Sequence, residues 1–302
     1  MRLVDAPTLH RLLPMTDAID VLHQAFADPG DVHSPQRSVH EAAGGALLLM
    51  PAWDDARAGV KLVTVEQRRR DRGLPSIHGV YVLFDGDLIP QVVIDGAALT
   101  ALRTAAVSGV ATRLMAPADA HRLIVFGAGV QGEAHVEAMR AVRDITDVIV
   151  VSRTAASAAG LVDRLRGTGV AVRAGEPGDV ATADVVCTCT TSEAPVFDGA
   201  ALRPGAHVNA VGAYQPDTRE VDDATMRRAA VVVEDRTAAF AEAGDVVIPM
   251  AEGILGGDDV VELGEVVRGA AVRPPSGGVT VFKSVGVAFE DLAVAAAVAA
   301  RL

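Results

Sequence analysis

The segment Gly127-Ala128-Gly129-Val130-Gln131-Gly132 constrains this chain more than any other. Its spacing is G-x-G-x-x-G, and it lies between an apolar run, Leu123-Ile124-Val125-Phe126, and a stretch of helical periodicity over residues 131–143. Glycines so spaced are common in turns; the pattern gains meaning only between a strand and a helix, the setting found here. In that setting the first glycine makes the tight turn, the second lets the backbone approach a pyrophosphate, and the third lets helix and strand pack closely. The free N–H groups and partial positive charge of the helix N-terminus then favour an anion. A dinucleotide-binding fold is expected, with Gly127, Gly129, Val130, Gln131 and Gly132 as cofactor contacts.

The surrounding pattern agrees. Strand-like runs at 121–126, 147–151, 170–172, 184–189, 207–211 and 230–233 are spaced by helical stretches such as 131–143 and 155–166, which predicts an α/β, doubly wound parallel sheet. The first 115 residues differ. A helix starts near Thr16 and Asp17, then strands come in quick succession at 46–50, 59–65, 78–84 and 91–94, with a turn at Asp85-Gly86-Asp87. This predicts an antiparallel sheet in a separate α+β domain. A helix over 99–115 would bridge the two, and the tail, with one strand and an Ala-rich helix, would fold back onto the first domain. The expected division is 1–115 with 278–302 for the discontinuous substrate domain and 116–277 for the Rossmann domain.

Half of the residues are apolar but only 3% are aromatic, so the core is expected to pack small branched side chains. With 27 basic against 39 acidic residues, the net charge of −12 argues against a nucleic-acid partner. Arg68-Arg69-Arg70 is the local exception, read as a solvated loop with an anion or subunit contact as the alternative. Cys187 and Cys189, two apart in an apolar run, read as small packed hydrophobes; with no second ligand pair, no metal is expected. Free thiols suit a reducing compartment, here the cytoplasm. Met1-Arg2-Leu3-Val4-Asp5 shows no signal-peptide pattern, and the Ala-rich C-terminus is too short to span a bilayer, so no membrane partner is expected.

Two further features bear on ligands. At the end of the second Rossmann strand, about 20 residues past the glycines, NAD enzymes usually place a carboxylate on the ribose. This chain has Ser152-Arg153-Thr154 there. An arginine flanked by hydroxyls would pair with a 2′-phosphate, so NADP(H) is the expected cofactor, with NAD(H) possible if the backbone alone holds the ribose. Arg103 is expected in the first turn of the bridging helix, in line with Val107, Val110 and Leu114. A cation there faces the unfavourable end of the helix dipole and, if buried, calls for an anion. A substrate carboxylate or a cofactor phosphate would meet it, or else an internal Asp. With Arg37 and Lys61, also in apolar settings, it suggests a carboxylate pocket.

The ordered set of Lys61, Gly73-Leu74-Pro75-Ser76-Ile77-His78-Gly79, Leu99-Thr100-x-x-Arg103-Thr104-Ala105-Ala106, the Gly127 loop and Lys283-Ser284-Val285-Gly286 resembles the ornithine cyclodeaminase/mu-crystallin family. The resemblance implies a homodimer formed through the substrate domain. It also implies that Arg37, Lys61 and Arg103 hold a substrate carboxylate, and that Thr104, Ser108, Val211, Gly212, Ser284, Val285 and Gly286 line the dinucleotide. Ornithine cyclodeaminases carry an aspartate two residues after the glycine matching Gly212, whereas this chain has Tyr214. Tyrosine donates a hydrogen bond but is a poor base at neutral pH. The resemblance is therefore nearer to the ketimine and pyrroline-2-carboxylate reductases, and implies NAD(P)H-dependent reduction of a small α-imino acid. Lys61, His78 and Tyr214 are the candidate catalytic residues for proton delivery. The alternatives are reductive amination as in alanine dehydrogenases, cyclodeamination of ornithine or lysine, and non-catalytic NADPH and ligand binding like that of mu-crystallin.

Overall fold

A computed structural model describes residues 1–66, 69 and 74–302 and divides the chain into two compact units. One comprises Met1–Arg103 with Gly286–Leu302, the other Thr104–Val285. Of the basic run, Arg68 and Arg70 lie outside the described residues, as does Gly73. The Arg69 guanidinium donates to the Thr64 hydroxyl at 3.2 Å and to the Ser76 carbonyl at 3.3 Å, tying two strand ends together.

The first unit is a six-stranded sheet in the order β1-β6-β5-β4-β3-β2. These strands are β1 (Arg2–Val4), β2 (Ser38–Ala42), β3 (Gly45–Trp53), β4 (Arg57–Val65), β5 (Ile77–Asp85) and β6 (Pro90–Asp95). All neighbours are antiparallel except β1 and β6. The Asp85 carboxylate makes the expected turn, accepting from the Asp87 and Ile89 N–H groups at 3.0 Å. Helices α1 (Ala6–Leu12) and α2 (Met15–Ala27) follow β1, and the chain leaves β6 in α3 (Gly96–Met115). The last helix of the chain, Ala288–Ala299, packs on strands β3 to β6 and on α2. Alternation along β3, β4, β5 and β6 points Met50, Lys61, Tyr81 and Ile94 to this covered face, in one cross-strand row.

Helix α3 begins three residues earlier than the expected Leu99, because the Asp95 carboxylate accepts from the Ala97 and Ala98 N–H groups at 2.9 and 3.0 Å and caps it. Arg103 is thus two turns into the helix, and the dipole argument for an anion beside it fails. Every residue from Ala101 to Thr112 is buried, as expected of a helix apolar all round, while Leu114 is exposed. The Arg143 guanidinium reaches carbonyls in the last turn of α3, those of Thr112 and Arg113 at 2.9 and 3.1 Å, and that of Ala116 just beyond it at 2.7 Å, closing its negative end.

The second unit is an eight-stranded, wholly parallel sheet in the order β13-β12-β14-β11-β10-β7-β8-β9. Its strands are β7 (Arg122–Phe126), β8 (Asp147–Val151), β9 (Ala171–Ala174), β10 (Val185–Thr188), β11 (His207–Ala210), β12 (Ala229–Val233), β13 (Val260–Glu262) and β14 (Val279–Lys283). Its helices are α4 (Val130–Val142), α5 (Ala155–Leu165), α6 (Asp223–Met226), α7 (Arg236–Glu242), α8 (Gly244–Ala251) and α9 (Leu263–Val267), so the last helix of the chain is α10. Strand order reverses at β7, the switch point at which open α/β sheets bind ligands. Two boundaries differ from those expected. Strand β14 lies between β11 and β12 in the parallel sheet, so the second unit runs on past 277 to Val285. The second half of α3 also belongs here: Ser108 bonds to His135 of α4 at 3.0 Å, and Thr112 accepts from Asn209 of β11 at 2.9 Å. Apolar periodicity marks a strand or helix, but not the sheet it joins. No described helix is long and apolar enough to cross a membrane.

Candidate functional site

In the first unit the three predicted cations converge. Lys61 is 2% exposed, and its ammonium lies 3.0 and 2.9 Å from the two Asp291 carboxylate oxygens. Arg103, 5% exposed, contacts Glu290 through Nη1 at 3.1 Å and Asp291 through Nε at 3.3 Å. Both acids are fully buried in the first turn of α10, where the helix dipole favours negative charge. The internal acidic partner foreseen as the alternative for Arg103 is therefore present, and as a pair of acids. Burial holds the Lys61 ammonium at about 8, from an ordinary 10.5; Arg103 and Arg37 push the same way, and Asp291 opposes them.

Gly286 sits between two of these cations. Its carbonyl accepts from Arg37 Nη2 at 2.6 Å, and a Cβ on it would stand 2.4 Å from Arg103 Nη1. Its φ of +78° also favours glycine. The resemblance implies a cofactor contact for Gly286; the structure packs it against Arg37 and Arg103. His78 is not part of this cluster. It pairs in register with Thr64, whereas Lys61 pairs with Tyr81, so the pleat puts His78 on the opposite, exposed sheet face. Tyr81, which the sequence reading passed over, is fully buried on the Lys61 side. Glu290 and Asp291 were also missed, although two adjacent acids opening an otherwise apolar helix are a readable signal.

In the second unit the glycine loop has the geometry a dinucleotide needs. Gly127 has φ +106°, and a Cβ there would meet the Cys189 carbonyl at 2.4 Å. A Cβ on Gly132 would stand 1.9 Å from the Gly127 carbonyl, so this glycine lets α4 lie against the loop. Gly129 N-caps α4 with no side-chain bond, and a Cβ there meets open space. Open space before free N–H groups at a helix N-terminus suits a pyrophosphate. The buried Thr104 hydroxyl has no partner among the described residues, a second position suited to a ligand. The donor set and the cradle therefore fit a dinucleotide. Ser152 and Arg153 follow β8 at its C-terminal end, with Arg153 exposed, while the Thr154 hydroxyl caps α5 by accepting from Ser157 N at 3.2 Å.

Other cofactor candidates have inward roles. Ser108 is fully buried and bonded to His135 Nε2; burial lowers that imidazole to about 4, so it is neutral. The Ser284 hydroxyl and the Val285 N–H donate to Glu234 at 2.6 and 2.9 Å, which fixes the exit of β14. Val211 and Gly212 leave β11 beside Thr190, and Tyr214, 37% exposed, lies just beyond them. Cys187 is buried under Asn209, and burial pushes its thiol up to about 12. Cys189, expected in the strand with it, lies one residue past the end of β10.

Comparison with known proteins agrees with this geometry. The chain is 39% identical over 273 residues to the ketimine reductase mu-crystallin of Mus musculus, covering 88% of this chain and 84% of that one. It is 32% identical to the Delta(1)-pyrroline-2-carboxylate reductase of Colwellia psychrerythraea, over all of this chain and 99% of the other. Among solved structures, the Delta(1)-pyrroline-2-carboxylate reductase of Thermococcus litoralis in complex with NADH and L-proline superposes with a TM-score of 0.94 at 31% identity, covering 100% of this chain and 97% of that one. With residues 4–302 matching the family as a whole, the chain belongs to the ornithine cyclodeaminase/mu-crystallin family.

Proposed function

We propose that the protein reduces the C=N bond of a small α-imino acid, a ketimine or a cyclic imine such as pyrroline-2-carboxylate, to the amino acid. The observation that carries this reading is the set of cations in the first unit. Lys61 and Arg103, both buried, lie beside Glu290 and Asp291, and Arg37 donates to the carbonyl of Gly286, which packs against Arg103. Guanidinium forks and an ammonium brought together in this way suit a substrate carboxylate. The relatives' names support the reading, as does Tyr214 in place of the cyclodeaminase aspartate: a hydrogen-bond donor that is no base suits a substrate arriving with its C=N bond formed.

When bound, the dihydronicotinamide supplies the hydride that goes to the imine carbon. Lys61 and Arg103 hold the adjacent carboxylate, and orientation of this kind is a main source of rate. The imine nitrogen also needs a proton. Lys61, at about 8, keeps its proton at neutral pH yet is matched to giving it up there, so we assign it this role beside its hold on the carboxylate. Arg153 and Ser152 favour NADP(H) through the 2′-phosphate, with NAD(H) also accepted. The family resemblance supports a homodimer, and the free cysteines a cytoplasmic setting.

The test is a screen of NADPH and NADH oxidation against pyrroline-2-carboxylate, piperideine-2-carboxylate, pyruvate with ammonia or methylamine, and ornithine. Oxidation with the cyclic imines, stoichiometric with the amino acid formed, is expected. Ammonia-dependent turnover of pyruvate as the fastest reaction would move the protein to the alanine dehydrogenases, and ammonia release from ornithine to the cyclodeaminases.

A further inference from the structure

Glu220 lies on the loop between β11 and α6, and its side chain is fully buried. Its carboxylate accepts four hydrogen bonds. Oε1 takes the Thr190 N–H at 2.7 Å and the Thr190 hydroxyl at 2.6 Å; Oε2 takes the Gly212 N–H at 2.6 Å and the Thr188 hydroxyl at 2.8 Å. One carboxylate thus ties the C-terminal exits of β10 and β11 together. Gly212 is packed so closely that a Cβ would meet the Thr190 carbonyl at 2.1 Å.

The tie is itself held from behind. Asp245, at the start of α8, accepts from the Glu220 and Val221 N–H groups at 2.7 and 3.0 Å. Its other oxygen pairs with the buried Lys283 ammonium at 2.8 Å, at the end of β14, and Lys283 donates to the Ala213 carbonyl at 2.5 Å. Three strand exits are therefore cross-linked by Glu220, Asp245 and Lys283. The network also adjoins the phosphate loop, because the Cys189 backbone N–H donates to the Phe126 carbonyl at 2.7 Å and the Cys189 carbonyl lies against Gly127.

We propose that Glu220, backed by Asp245 and Lys283, is a positioning residue that holds the Val211–Tyr214 loop in the one arrangement that receives the nicotinamide half of the dinucleotide. The assignment of this half rests on topology. With the pyrophosphate at the end of β7 and the adenosine ribose at the end of β8, the other half lies on the β10 and β11 side of the switch point. The inference rests on the dinucleotide-dependent reductase reading. Isolated acids would be an expensive choice in such a place, but two of the four donors are backbone N–H groups, one on each oxygen. Only a group with two accepting oxygens satisfies both, and an amide must turn its own N–H₂ against one of them.

The experiment compares NADH with ADP-ribose, which lacks the nicotinamide, on the wild type, Glu220→Gln and Thr188→Val, by fluorescence and calorimetric titration. Glu220→Gln is expected to weaken NADH about tenfold while ADP-ribose stays within about twofold, because one buried hydrogen bond at the loop is replaced by a repulsion. Thr188→Val, which removes one of the four donors and keeps shape, should shift NADH in the same direction by about threefold. With pyrroline-2-carboxylate, kcat should fall in Glu220→Gln and the primary deuterium isotope effect on it should rise, as hydride transfer from a misplaced ring becomes limiting. Equal weakening of NADH and ADP-ribose, or no change in either, would overturn the positioning role. Should Glu220→Gln fail to fold, Thr188→Val decides by the same comparison. A wild type that binds NADH yet reduces no imine would overturn the reductase reading instead, leaving the binding comparison intact.

Discussion

Gly286→Ala tests the proposed carboxylate clamp at a residue that the resemblance gives to the cofactor and that packs against Arg103. A Cβ at this position would stand 2.4 Å from Arg103 Nη1, so the guanidinium must retreat by about 1 Å to reach ordinary contact distance. That movement disturbs its contact with Glu290, now 3.1 Å from Nη1, and its hold on the proposed substrate carboxylate. Loss of one charge-assisted hydrogen bond is worth about 1.5–3 kcal/mol, so the substrate KM should rise roughly ten- to hundredfold. The φ of +78° adds a strain of about 1–2 kcal/mol for a residue with a Cβ, which lowers the melting temperature by several degrees. Steady-state kinetics with pyrroline-2-carboxylate, NADH titration by fluorescence and a thermal melt separate these effects. NADH affinity should remain within about twofold, since the proposal gives Arg103 and Gly286 to the substrate carboxylate and the dinucleotide to the Gly127 loop. An unchanged substrate KM with weakened NADH binding would refute the reasoning and return Gly286 to the cofactor.

Arg103→Lys should raise the substrate KM about tenfold, because a point charge replaces a planar fork. Arg103→Ala should also destabilise the fold by about 3–5 kcal/mol, since it removes a cation that contacts the buried Glu290 and Asp291; denaturant titration of both variants checks this. With Lys61 at about 8, kcat/KM should be level at neutral pH and fall about tenfold per unit above that value; a level profile past about pH 9 would exclude Lys61 from the reaction. The sign for stability is opposite: between about 8 and 10.5 the unfolded chain binds more protons than the native one, so the penalty of burying Lys61 relaxes as pH rises. NADPH should bind roughly ten- to hundredfold tighter than NADH, and Ser152→Asp with Arg153→Ala should invert the order; equal affinities in the unmodified protein would make Arg153 an ordinary surface residue. His78→Ala, on the exposed face, should leave kcat and KM within about twofold, and a large loss of kcat would show that the face assignment misleads.

Local patterns in the sequence determined a good part of this protein. The glycine loop between an apolar strand and a helix is legible because the reasons for each glycine are local: a positive φ, a close backbone approach and a helix that starts at once. Strands β3 to β6 and β7 to β12 are likewise written in runs of apolar residues a few positions long, and Arg37, Lys61 and Arg103 stand out as cations in such runs. Asp95 as the cap of α3 was equally legible, being local, yet was passed over. Tertiary structure decided what depends on residues far apart in the chain. Strand β14 joins the parallel sheet because its backbone pairs with β11 and β12, and no periodicity records that choice. The face of β5 that is covered, and hence the exclusion of His78 and the inclusion of Tyr81, follows from where α10 packs, more than 200 residues away in the chain. Glu290 and Asp291 meet Lys61 and Arg103, and Glu220 meets Thr188 and Gly212, only after folding. A buried charge is tolerable only beside its partner, and the partner's position in space is a property of the packed chain and not of its spacing in the sequence.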